Sequence, residues 1–588
     1  MKQLKTEYSG RITAQTALSD YPRPSLVRSS YLNLNGMWQY AITHNSAIPQ
    51  HFDGHILVPF SPECSLSGVM RQLKPGQFLW YMRTLSVAKP QPGKRFLLHF
   101  GAVDQEAVVY INRIQAGSHQ GGYLPFTLDI TDLLQSGDNE LIVRVTDQSD
   151  TSWHSRGKQS LKPGGMFYTA QSGIWQTVWA EVVPANYIQG IYYFADYDNS
   201  CLHMKTVTRT PAGMTCTITG ADSGPITYSG MTNEEILIAL PDFHPWSPED
   251  PFLYEVTLQT GADKISSYFA MRKCDIQTGP DGLPRFFLNN RPYFQAGVLD
   301  QGYWPEGLYT APSDEALIDD ISRMKALGFN MLRKHAKIEP ERFYYHCDRL
   351  GMLVWQDMVN GGSRYKHWFV TYLATLMNWN HISFGDGPGH RRLLSRADEK
   401  GRWEFMEELE ETVAFLYNHP CIVVWVPFNE GWGQFDALEA ADRLRKLDPS
   451  RLVDHASGWF DQGGGDIVSL HYYFFTLKFT PESRRALALT EFGGYSCSLP
   501  EHSACKKVYG YQKYNSTGAL TAGYQKLMEE TILPAVKKGI GATIYTQLSD
   551  IEEETNGIYT YDRAVCKLDP DTVRRWNKKL REAVLQND

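Results

Sequence analysis

Two glutamates close apolar stretches in the C-terminal half of the chain. Glu430 follows Ile422-Val-Val-Trp-Val-Pro-Phe-Asn429, and Glu491 follows Leu487-Ala-Leu-Thr490. A carboxylate at the end of a buried strand sits partly desolvated at the mouth of the sheet, where its proton affinity can be tuned. Two such groups facing each other are what acetal hydrolysis requires. One protonates the leaving oxygen; the other attacks the anomeric carbon or activates water. Mutual repulsion helps keep one of them protonated near neutral pH. A lone glutamate at a strand end is more often an ion-pair partner. The pair, with Asn429 before one member and Tyr472 and Trp432 nearby, is harder to explain that way.

Other strand-end positions add Arg333, His335, Asp357, His455, His471, Gln547 and Asp550. No G-x-S-x-G elbow, H-E-x-x-H helix or P-loop is present, and no complete G-x-G-x-x-G follows a strand. The three histidines lie on different strands and could meet around a metal. Hydrogen-bonding roles suit them better, so neither metal nor cofactor is expected.

These residues need a scaffold. From about Phe286 onward, apolar runs alternate with amphipathic helices, the pattern of β/α units around a parallel sheet. The runs are Tyr293–Gly297, Asn330–Arg333, Met352–Gln356, Ile422–Pro427, Leu452–His455, Asp466–Leu470, Leu487–Thr490 and Gly541–Thr546. Helices are expected at 314–327, with Ser313 as N-cap and Gly328 as stop, and at 339–350, 402–417, 435–447, 521–538 and 571–584. Eight strands over about 300 residues fit a (β/α)₈ barrel, with an eight-stranded open sheet as the competing arrangement. Upstream, short strands separated by turn residues run to about residue 185, and a further 90 or so residues have the size of a small sandwich.

At roughly 150 residues per domain, 588 residues predict about four domains. The barrel takes about 300 by itself and reduces this to three: 1–185, 186–277 and 278–588. The net charge of −8 lacks the basic surplus of a nucleic-acid binder. The longest apolar run, about eight residues, is far too short to cross a membrane. Nine scattered cysteines without C-x-x-C point to a reducing compartment, and the first thirty residues show no signal peptide. A cytoplasmic protein with no membrane partner is expected, with homo-oligomerisation open. The aromatic load (15 Trp, 33 Tyr, 27 Phe) suits both sandwich cores and platforms for sugar rings. Trp38, Trp175 and Trp179 fall in sandwich-like strands. Trp355, Trp368, Trp425 and Trp432 fall near the expected barrel mouth.

Trp425-Val-Pro-Phe-Asn429-Glu430-Gly431 and Leu489-Thr-Glu491-Phe-Gly-Gly resemble the acid/base and nucleophile segments of glycoside hydrolase family 2. The resemblance covers nearly the whole chain. Tyr21-Pro-Arg-Pro through Trp38, His119-x-Gly-Gly-Tyr-x-Pro-Phe126, Ser172-Gly-Ile-Trp175, Asn330-x-x-Arg333 and Leu350-Gly-x-x-Val-Trp355 follow in the family's order. It implies a jelly-roll sandwich, an immunoglobulin-like sandwich and a catalytic TIM barrel. It also implies a retaining exo-β-glycosidase working without a cofactor on a terminal, non-reducing sugar. Glu430 becomes the acid/base, Glu491 the nucleophile, Asn429 a partner of the sugar 2-hydroxyl and Tyr472 the tyrosine that orients the nucleophile. Arg333 holds the nucleophile ionised. His335, Asp357, His471, Trp432, Gln547 and Asp550 complete the expected substrate-binding set. The alternative of another class is a non-catalytic carbohydrate-binding protein on the same scaffold.

On sugar identity the chain departs from the family's glucuronidases, which carry Asn-x-Lys-Gly after the eighth strand. Here the stretch is Glu554-Thr-Asn556-Gly557, preceded by Glu552 and Glu553. Without the cation a neutral sugar is expected, a β-galactosidase-like enzyme first, with glucuronidase or mannosidase specificity as the alternative. The acids could instead be a solvated loop. The family's galactosidases often place an acid before Ser-Gly-Ile, whereas this chain has Met166-Phe-Tyr-Thr169. Two long loops, 359–400 with Arg364, Tyr365 and Trp368, and 495–516 with Tyr509, Tyr511 and Tyr514, are expected to form the rim and the aglycone side.

Overall fold

The computed structural model describes residues 2–220, 224–380, 382–474 and 476–585. Up to Pro184, a four-stranded and a six-stranded antiparallel sheet enclose one core, in which Trp38, Tyr81, Phe100 and Val143 are buried. Between Ile188 and Phe269, a three-stranded and a four-stranded sheet enclose a second core around Leu202, Tyr254 and Phe269. Both are sandwiches because many of their strands alternate apolar and polar residues, so one face of each sheet must find a partner. Cys201–Thr208 shows the pattern, with Leu202, Met204 and Thr206 buried and Lys205 exposed.

The C-terminal unit is an eight-stranded parallel barrel. Its strands are Gln295–Asp300, Met331–Lys334, Leu353–Asp357, Ile422–Val426, Leu452–Val453, Ile467–Tyr472, Ala486–Gly493 and Ile540–Thr546. They are numbered 1 to 8 below. Strand 1 pairs with both 2 and 8, which excludes the open sheet in which first and last strands are apart. The ladder has a seam between strands 5 and 6, bridged locally: Asp466 N–H donates to Val453 O (2.8 Å), and Val453 N–H donates to Asp466 Oδ2 (2.8 Å). Strand 5 is shorter than expected; beyond Val453, Asp454 is fixed by its N–H to Trp425 O and by the hydroxyl of Ser469.

The first barrel helix, Asp314–Ala326, begins where Ser313 Oγ accepts from Ala316 N–H and ends before Gly328 at φ +83°. The helix expected at 521–538 starts earlier, at Thr517, capped by Ser516. It is interrupted by a π-turn over Met528–Ile532, which resolves just before Pro534, a residue with no N–H to continue the ladder.

The two sandwiches are tied by a buried ionic cluster. Glu181 of the first sandwich accepts from Arg23 (2.9 Å), from Arg28 (3.2 Å) and from the Tyr21 hydroxyl. Arg28 in turn grips Asp263 of the second sandwich with two bonds of 3.0 and 2.9 Å. Burial alone would raise the Glu181 carboxyl, but His99, Arg23 and Arg28 bring it down to about 2. Its folded value thus lies below that of the unfolded chain, so its stabilisation is present above about pH 4.3 and fades as pH falls toward 2. Glu181→Gln leaves buried Arg28 and half-buried Arg23 without that partner and should destabilise the junction by about 3–5 kcal/mol. The first thermal unfolding transition reports it: the loss should be full at pH 7 and shrink below pH 4.

Candidate active site

The rim of the barrel gathers the two glutamates. Glu430 lies four residues beyond strand 4, in the left-handed region at φ +50°. Its N–H donates to Ser457 O (2.9 Å), while Ser457 N–H donates to Phe428 O (2.8 Å). Gly431 follows at φ +72°; a Cβ there would stand 2.5 Å from the Phe460 ring, so only glycine completes the turn. Glu491 belongs to strand 7, opposite His471 of strand 6. Register shifts occur on both sides of it, between Leu470 and His471 and between Leu489 and Phe492. Such irregularities re-aim side chains beside active sites.

His471 Nδ1 stands 2.8 Å from Glu430 Oε1 and 3.8 Å from Glu491 Oε2. Facing ligand atoms of the two carboxylates and His471 all lie within 4.8 Å of one another. Arg333 is fully buried and every one of its N–H groups is committed. Two bond Asp357 (3.0 and 2.9 Å), and one bonds Asn429 Oδ1 (2.8 Å). NH1 reaches Glu491 Oε1 (3.2 Å) and Thr490 O (3.1 Å). Asp357 also meets His335 Nδ1 at 2.6 Å. The phenol of Tyr473 donates to Glu491 Oε2 and lies 3.1 Å from Thr546 Oγ1. Burial would raise the Glu491 carboxyl; His471, Arg333, His335 and Lys158 outweigh it and hold the group well below the ordinary carboxylate range. Glu491 is therefore ionised through the neutral and mildly acidic range, with Glu430 half-buried opposite.

The phenol that meets Glu491 belongs to Tyr473, which corrects the expectation for Tyr472. Side chains alternate along a strand, so His471 shares a face with the residue two positions on. Counting from His471 would have found it. Tyr472 lines the cavity, as do His471 and Trp432. Asp550 is turned to a buried ion pair with Lys567 (2.5 Å) and accepts from Gly557 N–H, so the expected substrate contact is corrected. Gln547 is bound on both sides, to Asn556 (2.8 Å) and Gln301 (2.6 Å). Arg333 and Asp357 saturate each other and act on the site through Glu491, Asn429 and His335. Trp355 and Trp425 are core residues, not platforms: neither is exposed, and their indoles donate to Gln295 and Asp448. Trp368 is exposed and outside the cavity.

The cavity measures about 460 Å³ and is lined by Glu430, Trp432, Trp459, His471 and Tyr473 together with Tyr372, Tyr509 and Tyr511 from the two long loops. Loop 359–400 is partly ordered into a π-turn (Trp368–Leu373) and a helix (Ala374–Trp379). Tyr365, Phe369 and Val370 pack there with Trp432, Trp459 and Phe460. The first sandwich closes another wall. Ser155 bridges Gly361, Arg156 and Gly157 donate to Asn360 O (3.0 and 2.9 Å), and Gly157 abuts Ala336 O, beside His335. Lys158 follows; it has no hydrogen-bond or ion-pair partner for its ammonium among the described residues, and its charge lowers both Glu491 and, after burial, His335. Sequence reasoning missed it because it lies far ahead of the barrel in the chain.

The acids after strand 8 are not a solvated loop. Glu552 accepts from Thr169 N–H (3.0 Å), Glu553 from Gly165 N–H (2.9 Å), and Glu554 from the Tyr168 hydroxyl. Asn556 donates to Glu554 (2.9 Å). Among the described residues, Asp196, Cys201 and His203 in the second sandwich form the other group with metal-ligating spacing. The nine cysteines are all unpaired, and no described helix is long and apolar enough to cross a membrane.

If Lys158 helps hold Glu491 ionised, Lys158→Met raises the pH at which the acid limb of kcat/KM falls. An unmoved limb would place the ammonium outside the working electrostatics of the site.

Comparison with known proteins agrees with this layout. The model of the family 2 glycosyl hydrolase TIM barrel domain matches residues 285–534, and that of the family 2 sugar binding domain matches 68–180. A β-galactosidase of Thermoanaerobacter pseudethanolicus is 26% identical over 393 residues, 63% of this chain and 47% of that protein. A β-glucuronidase of Streptococcus agalactiae is 22% identical over 477 residues, covering 73% and 72% of the two chains. The first two curated relatives are thus matched over less than half of their own length, 47% and 44%. Among solved structures, a Ruminococcus gnavus β-glucuronidase superposes with a TM-score of 0.75 at 16% identity, covering 96% and 99% of the chains. An Eisenbergiella tayi β-galacturonidase gives 0.67 at 18%, covering 96% and 98%.

Proposed function

Because this chain belongs to glycosyl hydrolase family 2, we propose that it is a retaining exo-β-glycosidase, with Glu491 as nucleophile and Glu430 as acid/base. One observation carries the reading: facing oxygens of the two carboxylates lie within 4.8 Å, close to the roughly 5–5.5 Å of double displacement and short of the 6.5–9.5 Å an inverting water needs. The terminal sugar sits in the cavity between the carboxylates. Glu491, held by Arg333 and Tyr473, attacks the anomeric carbon while Glu430 gives its proton to the departing oxygen. Water then enters, Glu430 takes its proton, and the glycosyl–Glu491 ester is hydrolysed with net retention. Asn429, its Oδ1 taken by Arg333, presents its amide nitrogen to the sugar 2-hydroxyl.

A neutral, galactose-like sugar is the reading supported by the strand 8 turn, where Asn556 is tied to Glu554 and Gln547 instead of offering a cation. Lys158 favours a second reading, in which the first sandwich supplies the cation for a uronide. A panel of aryl β-galactoside, glucoside, mannoside, glucuronide and galacturonide decides, with the first-formed anomer read by NMR. Best turnover on a neutral sugar with retention is expected. Glucuronide as the best substrate, lost in Lys158→Met, replaces the neutral reading. Glycan binding without any turnover replaces enzyme with binding protein.

A further inference from the structure

Past Tyr372 and Tyr509 the catalytic cavity opens into a wider hollow of about 790 Å³; the two share those tyrosines, Met166 and Thr371. The first sandwich builds one wall with 159–167, and the 359–400 loop builds the other with Arg364, Tyr365 and His367. Phe167 ties the walls, stacking on Trp432 (5.0 Å between ring centres) and meeting the edge of His367 (5.1 Å). Because the two hollows are continuous, a leaving group protonated by Glu430, which lines the first, can extend into the second.

Its charges are unbalanced. Arg156 donates only to the carbonyls of Gly362 and Ser363 and lies 4.6 Å over the Tyr365 ring, so no anion neutralises it. Lys162 and Arg364 are exposed and have no ion-pair partner among the described residues. The one acid on the wall, Asp150, is engaged by the Ser160 hydroxyl (2.8 Å) and Leu161 N–H. Glu553, beside Gly164 and Gly165, is paired with Lys507 at 2.9 Å. His367, with Arg364 close by, is held below its ordinary pKa, chiefly by partial burial. Arg156, Lys162 and Arg364 thus set three cations against the single carboxylate of Asp150 in a cavity with aromatic walls.

We propose that this hollow is a leaving-group subsite selecting an anionic aglycone, a glycan or aryl residue bearing a carboxylate or sulfate. The proposal deepens the glycosidase reading and rests on it. Arg364 and Lys162 pair with the anion near the rim, and Tyr372 and Tyr509 flank the ring that carries it. Two partly exposed ion pairs together give about three- to tenfold in kcat/KM, diminished by salt.

The test compares aryl glycosides of the best sugar, matched in leaving-group acidity, whose rings carry a carboxylate, a sulfonate or a neutral amide. The expected result is a three- to tenfold preference for the anionic rings at low ionic strength. It should fall toward unity in molar salt and in Lys162→Ala/Arg364→Ala. Carboxylate and sulfonate arms show which oxyanion fits better. A ratio of one or below, or a ratio indifferent to salt and to the double variant, overturns the subsite. Calorimetric binding of the same compounds to Glu491→Gln separates the two readings. If no aryl glycoside is hydrolysed the enzyme reading falls, and the binding ratio still decides the subsite.

Discussion

Glu491→Gln should cut kcat/KM by about 10⁵-fold on every sugar in the panel while the unfolding transitions stay in place. The nucleophile has no substitute: Glu430 is engaged by His471, and Asp357 is sealed behind Arg333 and His335. Glutamine keeps one acceptor oxygen for Arg333 and turns its amide NH2 toward Tyr473, whose hydroxyl can then accept, so the pocket holds its shape while the carboxylate's nucleophilicity is gone. In Glu491→Gly, added azide can occupy the vacated face and attack the anomeric carbon. The product should be the α-glycosyl azide, inverted from the substrate. Residual activity of Glu491→Gln above about a hundredth of wild type, confirmed free of wild-type contamination, would remove Glu491 from that role.

The second large effect depends on the leaving group. Glu430→Ala removes the proton donor, so glycosides of poor leaving groups such as alkyl alcohols or sugars should lose about 10²–10⁴-fold. Dinitrophenyl glycosides, which leave without protonation, should lose far less in the glycosylation step. Deglycosylation also slows, because no base activates water; azide bypasses it and should yield the β-glycosyl azide. A loss independent of leaving group would overturn the assignment. Comparison with His471→Ala separates chemistry from placement. His471 touches Glu430 and nears Glu491, so that variant should disturb the pH profile for all leaving groups alike.

Much of this arrangement was legible from residue order. Glu430 and Glu491 end apolar runs, and an apolar run has to be a buried strand whose end opens at the barrel rim. The misses share physical causes. Tyr473 was missed because Tyr472, one position nearer the strand end, was taken instead of the residue two positions beyond His471 that shares its face. Trp355 and Trp425 were read as platforms from their nearness to strand ends, yet both lie within strands, where burial with a bonded indole is the rule. Asp550 follows strand 8 closely enough to look reactive, but Lys567, seventeen positions on, captures it. Lys158, Phe167 and Tyr168 belong to a unit that folds separately in sequence, and no periodicity within the barrel announces neighbours from another domain.

The clasp between the turn after strand 8 and the 164–169 segment, with the 155–157 segment sewn to residues 360–361, gives the first sandwich a standing beyond that of an appendage. A gene fusion or recombinant swap cut at the foot of the barrel would deliver a complete-looking catalytic barrel with one flank of its chamber missing and three glutamates stripped of their sandwich donors. Selection on substrate choice can therefore act through the sandwich as directly as through the barrel. The three folds are exchangeable as architecture but not as working parts.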